Sequence, residues 1–145
     1  MNRRDILLCF IALPEGKTNV LSPIQIMKGM FLIKQELNVS NFYEFKPYLY
    51  GPCSLEVYED IQRFVEENLI LLLPSIRGWK LYTISSKGME KFKAISKTMD
   101  EEFLENMRRI KKIVMEKSFI ELLKYVYEKY PEFAINSIIN IGVIK

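Results

Sequence analysis

The chain has 145 residues, 49% of them hydrophobic and 27% charged, with a formal net charge of +3; this is the size and composition of one globular domain with a packed core and argues against disorder. It contains no histidine, which removes Ser-His-Asp and Cys-His catalysis, imidazole metal ligation and the usual near-neutral proton shuttle. Two cysteines, Cys9 and Cys53, are too few for a disulfide framework or a four-cysteine zinc site and read as small buried apolar groups.

The apolar run Ile6 to Leu13 lies in a predicted first helix, Arg4 to Leu13, which Pro14 and Gly16 stop. It and Leu69 to Leu73 are far shorter than the ~20 residues of a membrane helix, so the expected location is cytoplasmic, with no membrane partner. A second helix, Ser22 to about Glu36, has Ser22 as N-cap, Pro23 at the first helical position and Gln25 completing a capping box. Its core face is Ile24, Met27, Met30 and Phe31, with Gln25, Lys28 and Gln35 outside; Gly29 weakens it by about 1 kcal/mol relative to alanine and suits close helix packing.

The aromatic stretch after it suits a short extended segment on the core, which Pro47 and Pro52 bar from being a central strand or a helix. Tyr43, Tyr48 and Tyr50 read as half-buried core aromatics, since only Lys46 interleaves them and a nucleic-acid stacking platform needs more. A third helix, Ser54 to Asn68, carries the stripe Val57, Ile61, Phe64, Val65 and Leu69. "LILLLPSIRGWKLYTIS" then reads as a β-hairpin, with Gly78 supplying the unusual backbone angle, Arg77, Trp79 and Lys80 near the tip, and Trp79 packed on the hairpin's own base. A helix starts at "SSKG"; a second capping box, Thr98 and Glu101, opens one with the stripe Phe103, Met107, Ile110 and Val114; a third, Ser118 and Glu121, opens another that Pro131 ends.

Three helices followed by a two-stranded wing make a mainly α winged helix-turn-helix over residues 1–98, with a helical extension over 99–145 that packs on it or forms a dimer interface. The extension's apolar content exceeds what a three-helix core needs, so a homodimer is expected. "LYTISSKG" resembles the second wing strand and following helix start of bacterial and archaeal winged-helix regulators, which often read Tyr-x-Leu-Thr-x-Lys-Gly. "FYEFKPYLYGPCSLEVYEDIQRFVEENLI" resembles the Pro-Tyr, Tyr-Gly-Pro, Ser segment of the YwgA-like winged-helix proteins and, more loosely, the Panacea or SocA-like domain. "YEKYPEFAINS" is also similar to YwgA-like proteins. The main similar stretches cover Ser22 to Gly88, just under half the chain. The resemblance implies a winged-helix fold; Panacea-like domains are linked to toxin neutralisation and protease-adaptor roles, and winged-helix regulators bind DNA with the third helix in the major groove and the wing on the backbone. This chain departs from that pattern in the long aromatic connection that replaces the tight turn.

The outer face of the third helix is read as Glu56, Glu59, Asp60, Arg63, Glu66 and Glu67, five acids against one base. A net −4 opposes phosphate approach and suits a basic protein partner; position by position, a solvated helix face is the plainer alternative. Phosphate-binding candidates are the wing pair Arg77 and Lys80 and the run Arg108, Arg109, Lys111 and Lys112, in which Arg108, Lys111 and Lys112 fall near one helix face. The alternative for that run is pairing with Glu101, Glu102 and Glu105. Cys53 at a helix N-terminus is a chemically reasonable nucleophile, but with no general base motif no enzyme activity and no cofactor are expected. Two functions remain: a DNA-binding transcriptional regulator, or a protein-interaction module of antitoxin or adaptor type using Glu56, Glu59, Asp60, Glu66 and Glu67.

Overall fold

The computed structural model describes residues 2–17, 19–75 and 77–139. Its elements run α1 (Arg3–Ala12), α2 (Pro23–Leu37), β1 (Lys46–Tyr48), β2 (Gly51–Cys53), α3 (Leu55–Glu66), β3 (Ile70–Leu73), β4 (Leu81–Ile84), α4 (Ser86–Ser96), α5 (Glu101–Glu116), α6 (Phe119–Lys129) and a 3-10 turn (Pro131–Ala134). The architecture is mainly α with a small hairpin wing. β3 and β4 pair antiparallel, Ile70 opposite Ile84 and Leu73 opposite Leu81. Leu21, between α1 and α2, exchanges two backbone hydrogen bonds with Tyr82 at 2.9 and 2.8 Å, a one-residue antiparallel bridge on the other edge of β4. That order of helices, bridge and wing is winged-helix-like.

α1 is apolar all round because it is the centre of the core: every residue from Ile6 to Leu13 is buried, against α2, α4, α5 and β4. α2 starts with the expected box, Gln25 N–H donating to Ser22 Oγ at 3.2 Å and Ser22 N–H to Gln25 Oε1 at 2.8 Å. Gly29 is where α1 and α2 touch: a Cβ there would lie 2.1 Å from Phe10 Cζ. The box of Ser118 and Glu121 also forms. That of Thr98 and Glu101 does not, because the Thr98 hydroxyl turns back to the Ile95 carbonyl at 2.7 Å and Asp100 takes the N-cap position.

The aromatic connection folds into a hairpin of its own. Lys46 pairs with Cys53, Pro47 with Pro52 and Tyr48 with Gly51; the two prolines, which have no N–H, face each other in a two-stranded ribbon where both strands are edges. Gly51 sits at φ +90°, open to glycine without strain. The C-terminal segment clamps this hairpin: Asn136 Nδ2 donates to the Pro47 carbonyl at 3.0 Å and Ile138 N–H to the Leu49 carbonyl at 3.1 Å.

α5 and α6 pack on the winged-helix part. Met107, Ile110 and Val114 of α5 and Leu122, Leu123, Val126 and Tyr127 of α6 are buried within one continuous core. The stripe that suggested a dimer interface is thus covered by the chain itself, chiefly by α2. Residues 140–145, the end of the apolar C-terminal run, and Ile76 of the wing turn lie outside the described residues. Among the described residues no helix is long and apolar enough to cross a membrane.

Candidate functional site

α3 buries Val57, Ile61 and Phe64 as its periodicity predicts, and Asp60 with them. Placing Asp60 on the outer face is therefore wrong: its Oδ2 accepts the Tyr43 hydroxyl at 2.6 Å, with Arg3 Nε 3.8 Å away. Burial pushes the Tyr43 phenol well above its ordinary pKa, and Asp60 adds to that, so Tyr43 stays a donor. Glu56 and Glu67 remain exposed but are answered from α1: Arg3 Nη2 lies 2.9 Å from Glu56 Oε2 and Arg4 Nη2 2.9 Å from Glu67 Oε1. Cations in the first turn of a helix oppose its dipole, and here α3 supplies the compensating charge. Counting Glu56, Glu59, Glu66 and Glu67 against Arg63, Arg3 and Arg4 leaves one negative charge on this face. Glu59 and Glu66 form no ion pair among the described residues.

The run on α5 is not a phosphate cluster. Lys111 is 1% exposed and donates to the carbonyls of Phe10 at 2.7 Å, Ile11 at 3.1 Å and Leu13, closing the C-terminal end of α1. Burial lowers its pKa to about 7. Arg108 is held by Glu15, Glu101 and Glu105 at 2.9, 3.1 and 3.0 Å, and Arg109 shares Glu36 with Lys129. Only Lys112 of the four is exposed and outside any ion pair among the described residues.

Arg77 and Lys80 are exposed on the wing, and no hydrogen bond or ion pair joins them to α5. Trp79 does not pack on the hairpin base; 62% of its surface is open, with the Arg77 guanidinium 5.4 Å from its ring. A basic face that the sequence reading passed over lies on α4 and its C-cap, where Lys87, Lys91, Lys93 and Lys97 are exposed, with Glu90 as the one acid among them and no ion pair among the described residues. Their spacing, i, i+4, i+6 and i+10, was the available signal.

The hairpin β1–β2 makes the other distinctive surface. Tyr48, Leu49 and Tyr50 keep 41, 52 and 43% of their surface exposed, so Tyr48 and Tyr50 are half-buried as expected but belong to the surface and not to the core, in which Tyr43 of the same connection lies. Tyr58 of α3 stands over the same cleft, and Phe119 at the start of α6 meets Tyr50 edge to face at 5.9 Å. Beneath lies Lys28, predicted to face outward but 2% exposed, its Nζ donating to the Pro52 carbonyl at 2.9 Å. Burial lowers its pKa to about 8. Burial also raises the pKa of the neighbouring Cys53 thiol, which works against nucleophilic reactivity.

The sequence matches no protein-family model and no curated protein.

Proposed function

We propose that this protein is an interaction module that docks a protein partner on the β1–β2 hairpin, the adjoining face of α3 and the start of α6. The observation that carries the reading is the exposure of Tyr48, Leu49, Tyr50 and Tyr58 around one cleft, with exposed Phe119 against Tyr50. Exposed aromatics with polar tips bury much area at low entropic cost and are the side chains that dominate protein interfaces. Glu59 and Glu66, on the exposed face of the same helix and in no ion pair among the described residues, leave that face one negative charge in excess and favour a basic partner. The stretch that resembles YwgA-like and Panacea-like segments is the one that builds this hairpin, and the reading accommodates an antitoxin or adaptor role.

The test is photo-crosslinking in cells from a photoreactive residue in place of Leu49, with a second probe in place of Lys112 as control. The expected product is a discrete adduct with a basic protein, formed from position 49 only and weakened by Glu59→Lys. Adducts equal from both positions, or only with a second copy of the chain, would overturn the reading.

A second reading, a winged-helix DNA-binding regulator, is favoured by the α4 lysines together with Arg77 and Lys80. It draws phosphate contacts from the wing and α4 instead of α5. Duplex anisotropy measured across a salt series tests it: the slope of log affinity against log salt should fall by about 1 for each cation replaced. Absence of binding at low salt removes it.

A further inference from the structure

Lys111 shows a buried ammonium whose coordination the fold completes, with three carbonyls around Nζ. Lys28 is as deeply buried, yet its Nζ meets one acceptor, the Pro52 carbonyl. An ammonium has three N–H groups, so two have no protein acceptor among the described residues, and no carboxylate makes an ion pair with it. Buried charges are ordinarily paired. The residue also lines a cleft of about 300 Å³ with Ile24, Tyr48, Tyr50, Cys53 and Tyr58, at the small end of ligand sites. Gly51 closes over the lysine stem, where a Cβ would stand 3.4 Å from Lys28 Cε.

We propose that this cleft binds a carboxylate carried on an apolar or aromatic stem, the carboxylate taking the two free Nζ–H groups of Lys28 and the tyrosine rings covering the stem. Charge-assisted hydrogen bonds of this kind are the strong ones. Resting on the docking reading, the carboxylate belongs to the partner, as a chain terminus or an acidic side chain; a free organic acid offers the same chemistry.

The experiment is an NMR titration of the full chain with phenylacetate, with phenylacetamide, and with a pentapeptide ending in phenylalanine as either free acid or amide. Phenylacetate is expected to shift the backbone amides of Lys28, Gly51, Cys53 and Tyr58 and to bind at least tenfold tighter than phenylacetamide. Lys28→Met should abolish that preference, and Lys112→Met should leave it intact. Should Lys28→Met fail to fold, Tyr58→Glu keeps Lys28 and is expected to weaken phenylacetate at least tenfold while sparing phenylacetamide. A free-acid pentapeptide binding tenfold tighter than phenylacetate identifies the partner's chain end as the source; equal affinities identify a small-acid site. Equal binding of phenylacetate and phenylacetamide, or shifts unaltered by Lys28→Met or Tyr58→Glu, would overturn the proposal. The titration needs no partner, so its failure leaves the docking reading standing, and loss of the crosslink from position 49 leaves the cleft standing.

Discussion

Replacing Lys111 by methionine asks whether the most basic run of the chain serves the fold or a ligand. The lysine's acceptors are carbonyls that α1 leaves without amide partners: Pro14 has no N–H to offer Phe10, and Leu13 already stands beyond the last helical residue, Ala12. With its pKa brought down to about 7 by burial, Lys111 at neutral pH divides between the ammonium, whose three N–H groups meet all three carbonyls, and the neutral amine, whose two meet two of them, so the relief from removing a charge is small and the lost donors dominate. Three buried acceptors orphaned at about 1 kcal/mol or more each give an expected loss of about 3 kcal/mol. Lys112→Met, one residue along and exposed, should change stability by less than about 0.5 kcal/mol. There is a pH signature as well. The folded pKa of Lys111 lies below the ordinary 10.5, so between the two values the unfolded chain binds more protons. Wild-type stability therefore rises with pH from about 7, by at most about 1.4 kcal/mol per pH unit for one group. Lys28, lowered to about 8, adds its own rise one unit later. No histidine titrates in this window, and burial holds both cysteine thiols above their ordinary range. Urea denaturation of both variants at pH 6, 7 and 8 measures both effects. Equal stability of Lys111→Met and Lys112→Met, with the wild-type pH slope kept, would refute the reasoning.

Gly29→Ala should cost about 1–3 kcal/mol through the clash with Phe10, although alanine is the better helix former by about 1 kcal/mol; a thermal melt of Gly29→Ala with Phe10→Leu should recover part of the loss. Tyr43→Phe removes the 2.6 Å donor to buried Asp60 and is expected to cost about 1–3 kcal/mol by urea denaturation, while Tyr50→Phe, at the exposed hairpin tip, stays within about 0.5 kcal/mol. Arg4→Ala breaks a partly exposed ion pair with Glu67 and should cost under about 1 kcal/mol in the same assay, less than Tyr43→Phe.

The features legible in the sequence were those decided by neighbours in the chain. Ser22 with Gln25 and Ser118 with Glu121 cap their helices because the box closes over three residues. The α3 stripe and the wing likewise follow from local period and turn chemistry. Misreadings fall where a side chain is answered from far away. Lys111 meets carbonyls 98 to 101 positions distant, Lys28 one 24 away and Asp60 a hydroxyl 17 away. Charge type signals exposure only until a partner arrives, and the long aliphatic stems of the two lysines let the body be buried while the tip finds acceptors. α2 was read as two-faced, and Gln35 is exposed as that reading has it, but β2 closes over Lys28, with the Pro52 carbonyl on its Nζ and Gly51 against its stem, which is how Lys28 came to lie inside. The Tyr48–Tyr50 turn was hidden differently: its prolines barred only a central strand or a helix, and the segment was read as a single extended stretch, whereas its two halves pair with each other as a ribbon of two edges, which tolerates them.

Folding also changes which surface is left to act. Much of the charge that the sequence displays is spent within the chain: Arg3 and Arg4 on α3, Arg108 on three carboxylates, Lys111 on α1. A partner approaching α5 meets cations already committed, and competing for Arg108 would mean displacing Glu15, Glu101 and Glu105 together. At the hairpin nothing needs displacing. Tyr48, Leu49 and Tyr50 are about half exposed on a ribbon held by Asn136 and Ile138, so little ordering entropy opposes binding there. A fold that only had to bury these residues has a simple route, since Phe42 and Tyr43 in the same connection are buried. Holding three large side chains outward on a braced turn, above a lysine with two N–H groups unanswered among the described residues, is the arrangement on which the docking proposal rests.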